Sequence, residues 1–399
     1  MRERTPRAPE IAPGSAPGAA PERAPSGAPG AGLLDPRSAE RELVRAWLAL
    51  QLRGAFEPVE TSAALQRARG DPAGALRLRT GETPGAVLDD AALARAVARL
   101  ARAGARLLPL GAPAYPERLA ALRDPPVLLA VRGDPACLAR PLVAIVGARQ
   151  STPYGVGAAR RLARQLVGLG FGVVSGLAAG IDAAAHGGAL EAGGATIGVL
   201  GCGADRVYPP EHAALAESMI EAGGAVLSEL PPGAAPLKHH FPLRNRLISG
   251  LAAALVVVEA RARSGSRISA EHAAEQGREV LAVPGPIDAA TSEGANLLLR
   301  DGAWPALDAS DVLRALGRHD EAERWLARQR RARAAASDDA LAPEARAVLA
   351  ALREAPATRD ELAERLGLGP GALAARLLEL ELDGRVAEDR AGRLRIVPR

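Results

Sequence analysis

The chain has 399 residues, enough for about two or three domains with full-sized cores. A formal charge of +4 permits a nucleic-acid partner without demanding one, and no apolar run reaches the length of a membrane span. Two cysteines, Cys137 and Cys202, and six histidines (186, 212, 239, 240, 272 and 319) make no metal-binding spacing, so a soluble cytoplasmic chain without metal or structural disulfide is expected.

Residues 1–36 repeat Pro, Ala and Gly with scattered charge, which buries too little apolar surface to offset ordering entropy; a disordered tail is expected there. Short helical patterns over 37–110, such as Glu42 to Leu48 and Ala91 to Val97, predict a small helical domain. Turns at Tyr115-Pro116, Asp124-Pro125-Pro126 and Arg132-Gly133-Asp134 then lead into a larger unit over 111–310.

In that unit strand and helix patterns alternate. Candidate strands are Leu142–Val146, Phe171–Val174, Thr196–Leu200, Ala225–Leu227, Ala254–Val258 and Val280–Val283, which predicts a doubly wound α/β sheet. The first is five apolar residues in a row, as for a strand covered on both faces. It runs into Gly147-Ala148-Arg149-Gln150-Ser151-Thr152-Pro153, where Thr152 reads as a helix N-cap and Pro153 as the first helical position. Free backbone N–H groups beside Arg149 predict a phosphate site. It is neither a Walker loop, lacking Gly-Lys-Ser/Thr, nor a dinucleotide loop, since Arg149 stands where the second glycine would be.

Ligands of open parallel sheets bind at the carboxyl ends of the strands. Those ends here carry Ser175-Gly176 with Asp182 and His186 beyond, Gly201 to Asp205, Glu259, and Ser264-Gly265-Ser266. Asp182 reads equally as a helix cap or a functional carboxylate, His186 as a structural residue, and Glu259 as a general base without an evident partner. Lys238 to Arg246, with Phe241 ahead of Arg244-Asn245-Arg246, suits phosphate oxygens and a base face. From Pro141 to Asp308 there are 13 Lys and Arg against 15 Asp and Glu, so nucleic acid would need a local pocket of Arg149, Lys238, Arg244, Arg246 and Arg267.

Residues 311–340 read as a charged helical linker, and 341–399 as three helices with a hairpin, the pattern of a winged helix. Its presumed recognition segment, Gly369–Glu381, has Arg376 alone against Glu379 and Glu381, so a protein contact is as good a reading as duplex DNA.

Together the motifs resemble the DprA/Smf family of DNA-processing proteins. They are Ile145 to Arg149 with Thr152 and Tyr154-Gly155, Ser175 to Ala178 with Gly180 to Asp182, Phe241-Pro242 before Arg244 to Arg246, and Ser264 to Ser266. The resemblance spans about 115–303 and implies an extended Rossmann domain, with a SAM-like helical domain before it and a winged helix after it. It further implies binding of single-stranded DNA, homodimerisation and loading of the RecA recombinase, without catalysis or cofactor. Carried over residue by residue, the DNA site is Gly147, Arg149, Thr152, Ser175, Gly176, Lys238, Arg244, Asn245, Arg246, Ser264 and Gly265. Ala179 departs from the family, many of whose members have Arg or Lys there, so a phosphate contact is lost or moves to Lys238. Two other classes stay open. A phosphoribohydrolase-type enzyme would need a Pro-Gly-Gly-x-Gly-Thr loop, to which only Val283-Pro284-Gly285-Pro286 comes near; a ligand-sensing transcription regulator would need a basic recognition helix.

Overall fold

The computed structural model describes residues 33–37, 40–339, 341–389 and 391–397. The chain divides into two compact units, one up to Gly317 and one from Arg318.

The first unit opens with helices α1 (Arg41–Gly54), α2 (Pro58–Arg67), α3 (Pro72–Thr80), α4 (Pro84–Val87) and α5 (Asp90–Arg102). Asp71 and Asp89 start α3 and α5 by accepting backbone N–H bonds, as N-caps do. These helices do not close a core of their own. Trp47, Leu50, Leu93 and Leu100 share one apolar cluster with Leu107, Leu128 and Ala130 of two strands, β1 (Arg106–Pro109) and β2 (Leu128–Gly133). Most of the expected tail lies outside the described residues. Its end at Leu34 is 5% exposed and exchanges two backbone hydrogen bonds with Leu107, so that residue is packed into the fold.

After a turn of helix, α6 (Glu117–Ala120), the alternating region forms β3 (Leu142–Val146), α7 (Pro153–Gly168), β4 (Gly172–Ser175), α8 (Ile181–Glu191), β5 (Thr196–Val199), α9 (Ala213–Glu221) and β6 (Ala225–Ser228). It continues through α10 (His240–Leu251), β7 (Ala254–Val257), α11 (Gly265–Glu275), β8 (Glu279–Ala282), α12 (Glu293–Arg300), β9 (Trp304–Pro305) and α13 (Ala309–Ala315). All six candidate strands are present, within a residue or so at each end. The sheet order is β1-β2-β6-β5-β4-β3-β7-β8-β9, with β3 to β9 parallel and β1 and β2 antiparallel. The chain winds from β3 outward to β6, then crosses back to lay β7 against the other side of β3. That reversal puts a crevice at the carboxyl ends of β3 and β7.

The second unit contains α14 (His319–Asp339), then α15 (Pro343–Glu354), α16 (Arg359–Leu366) and α17 (Pro370–Leu382), and an antiparallel pair, β10 (Val386–Glu388) and β11 (Leu394–Ile396). Thr358 and Glu361 form a capping box that starts α16, and Gly367 ends it in the left-handed region. Leu349, Leu362, Leu377, Leu380, Val386 and Leu394 pack a separate small core, giving the winged helix. No helix among the described residues is long and apolar enough to cross a membrane.

Candidate functional site

The loop after β3 carries Arg149 to the mouth of the crevice. Arg149 is exposed and makes no ion pair among the described residues; its guanidinium carbon lies 4.8 Å from the centre of the Phe241 ring. Phe241 comes from the start of α10, and Tyr208 leans on it from the loop after β5, with ring centres 5.8 Å apart. Asn245, one turn along α10, donates from Nδ2 to the Gly265 carbonyl at 3.2 Å, joining α10 to the start of α11. Lys238 stands exposed just ahead of α10.

Thr152 starts α7 as expected, its hydroxyl accepting from Gly155 N at 3.2 Å. A carboxylate of the chain itself lies at that helix end. The Glu259 carboxylate, from the end of β7, accepts from Thr152 N at 2.9 Å and from Thr152 Oγ1 at 2.5 Å. Glu259 thus closes an internal cap, with the Thr152 hydroxyl turned to it. Beside it lies a cleft of about 480 Å³ lined by Thr152, Tyr154, Glu259, Pro284, Gly285 and Ser292. The N-terminus of α11 carries no side-chain cap. Ser264 precedes it without capping it, its hydroxyl is buried without a hydrogen bond to a described residue, and Gly265 is exposed.

The loop after β4 is held from below. Leu177 has φ 58° in the left-handed region, a strained conformation for a branched residue that its surroundings must impose. Three side chains do so: Asp182 accepts from Gly176 N at 3.1 Å and Ala178 N at 3.4 Å, Arg244 donates to Gly176 O at 2.5 Å, and His212 donates from Nδ1 to Leu177 O at 2.8 Å. A Cβ at Gly176 would fall 2.3 Å from Arg244 Nη1, which explains the glycine. Gly180, at φ 80°, lets the Ala148 carbonyl approach where a Cβ would lie 2.3 Å away.

Arg244 is therefore buried beneath the groove; it also donates to Val199 O. Burial lowers its guanidinium to about 10, against the nearby Asp182 carboxylate, which raises it. Burial also pushes the Asp182 carboxyl up. Arg246 is 3% exposed and bound to Glu229 and, at 3.2 Å, to Asp124, so its charge is engaged inside the fold. Ser175 donates to Ile145 O at 2.6 Å and is fully buried. Arg267, in the first turn of α11, donates to Ala262 O in the preceding loop at 3.1 Å. The eleven expected site residues thus separate. Arg149, Lys238, Asn245, Ser264 and Gly265 lie at or near the surface, with Gly147 half-buried behind Arg149, whereas Ser175, Gly176, Arg244 and Arg246 lie under it and Thr152 is turned to Glu259. Ala179, where a basic residue was missing, is exposed.

His186 is fully buried, with Nδ1 against Thr196 Oγ1 at 2.7 Å. Because Thr196 already donates to Val173 O, it accepts from His186, which places a proton on Nδ1. Burial, with His212 and Arg244 nearby, holds His186 down at about 3. Sequence reasoning passed over Phe56, whose ring lies 5.5 Å from that of His240; an aromatic in a Glu-rich interhelical turn gave no period to follow.

An open Rossmann-type sheet, with exposed cations and an uncapped helix at its switch point, places the chain in the doubly wound α/β class. Comparisons with known proteins narrow the class. Residues 106–317 match the family model described as DNA recombination-mediator protein A, and 332–392 match the DprA winged helix domain. Protein Smf of Escherichia coli is 40% identical over 286 residues, 71% of this chain and 75% of that protein. The DNA processing protein DprA of Bacillus subtilis is 39% identical over 225 residues, 56% of this chain and 75% of its own. The crystal structure of DprA from Streptococcus pneumoniae aligns with a TM-score of 0.56 at 34% identity, covering 69% of this chain and 95% of that one. The chain belongs to the DprA family.

Proposed function

We propose that the crevice binds single-stranded DNA with little sequence preference, and that a homodimer of this chain loads a RecA-type recombinase onto the strand. The observation that carries the reading is the juxtaposition of Arg149 on the Phe241 ring with exposed Lys238 and the uncapped start of α11. Cations and backbone N–H groups suit phosphates, and a supported ring face suits an unpaired base, which a duplex keeps stacked inside. The unit as a whole is not basic, so affinity rests on this local set instead of a broad field.

Binding, not turnover, is the proposed activity. Glu259, Asp182 and His186, the acid-base candidates at the strand ends, are each tied to Thr152, the Gly176 loop or Thr196. A catalytic set would need such a group aimed at a reacting atom. Two crevices in a dimer would hold two stretches of strand and raise local concentration for filament nucleation. The test is the lag of RecA ATP hydrolysis on circles coated with single-strand-binding protein. The lag is expected to shorten with the wild-type chain and not with Arg149→Ala. An unchanged lag, with DNA binding and dimerisation intact, removes the loading role.

A further inference from the structure

The groove residues continue past Phe241 to a second aromatic surface. Phe56, in the connection between α1 and α2, is 57% exposed, the most open Phe, Tyr or Trp among the described residues. Its ring lies 5.5 Å from the His240 ring at an interplanar angle of 25°, and 5.8 Å from the His239 ring. His240 is a rigid support: it is buried, and its Nδ1 donates to Ala235 O at 2.9 Å. His239 meets His240 edge-on at 4.5 Å and is itself exposed. One side of Phe56 is therefore backed while more than half of the residue faces water.

Residues 238–241 connect this surface to the groove. Lys238, the only lysine in the chain, is exposed on one side of the histidine pair; Phe241, under Arg149, follows on the other. Consecutive residues lie about 3.8 Å apart along the backbone, so the surface adjoins the groove directly. We propose that Phe56, backed by His240 and flanked by His239, is a stacking subsite for a base of the same single strand, just outside the crevice. The subsite rests on the single-strand reading of the groove. It would make the N-terminal helices part of the DNA path, with Lys238 holding the phosphate between the two rings. Leu52 and Val59 are also exposed near this connection, so a protein contact is the competing occupant; Lys238 and Arg149, which make no ion pair among the described residues, favour a polyanion.

Anisotropy titrations with oligothymidylates of increasing length test the subsite. Phe56→Ala is expected to bind the longer oligomers at least about fivefold more weakly, the low end for one lost base stack. It is expected to leave the shortest bound oligomer and the salt dependence unchanged. Phe56→Trp is expected to keep affinity and to be quenched by the long oligomers only. Wild-type affinity of Phe56→Ala at every length, or an altered oligomeric mass with unaltered DNA affinity, overturns the subsite. If Arg149→Ala also binds every length normally, the groove itself is refuted, and the subsite with it.

Discussion

At the scale of single residues, the division between arginines that face out and arginines that hold the floor has measurable consequences. Arg246 sits at 3% exposure between Glu229 and Asp124, and burial raises the Glu229 carboxyl despite that neighbour. Arg246→Ala leaves Glu229 buried without its cation, a loss expected to cost about 3–5 kcal/mol in urea unfolding. Folded Arg246→Ala should bind DNA at low denaturant with the wild-type salt slope; a flattened slope would put Arg246 on the DNA. His186 makes a pH test. Its folded value of about 3 lies below the ordinary histidine value, so the neutral ring contributes fully above about pH 6.5. As pH falls from there toward 3 the unfolded chain takes up a proton that the fold refuses, and stability drops by up to about 1.4 kcal/mol per pH unit. Asp182 and Glu229, both raised by burial, act in the opposite sense and partly mask the slope. The difference between wild type and His186→Gln isolates it: wild type is expected to lose stability faster between pH 6.5 and 4, and parallel curves would contradict the buried neutral ring. His186 was legible as a structural residue, whereas the role of Arg246 was not. Asp124 and Glu229 stand far from Arg246 along the chain, and Glu259 is 107 residues from Thr152, so nothing local announced those partners.

At the scale of elements, the parallel strands were legible because each is a short apolar run that enters a Gly- or Ser-bearing loop, as Leu142–Val146 does before Gly147. β2 was equally apolar, from Val127 to Val131 between Pro126 and Gly133, yet the surrounding turns masked it as lead-in. β1 was hidden for a different reason: two leucines and a terminal proline carry no period of their own, and their pairing with β2 is what makes them a strand. The winged helix followed its pattern closely, with α17 over Pro370–Leu382. Its one cation in the middle, Arg376, is bound to Glu344 and Glu379, while Leu378 and Leu382 are 57% and 80% exposed. Such a face suits an apolar protein contact better than duplex phosphates. Deleting residues 340–399 is accordingly expected to change single-strand affinity by less than about threefold, a shift of roughly 0.7 kcal/mol. A tenfold loss at physiological salt would assign the wing to DNA.

At the scale of the whole molecule, a near-neutral sheet unit places exposed Arg149 and Lys238 at one crevice. The helix end that looked ready for phosphate, α7, is closed by Glu259, and the neighbouring α11 carries no side-chain cap. The same exchange explains why the site was only half visible in the chain: the loops and their order were readable, but which helix end was capped depended on a carboxylate delivered by another strand. The most direct measurement is the slope of log K against log salt for single-stranded oligomers, with wild type and Arg149→Ala side by side. Each phosphate contact on a single strand contributes about 0.7 to that slope. Arg149→Ala is expected to weaken binding to all sequences alike and to flatten the slope by about that amount. A variant that binds as tightly as wild type, with the same slope, would place the DNA elsewhere on the molecule.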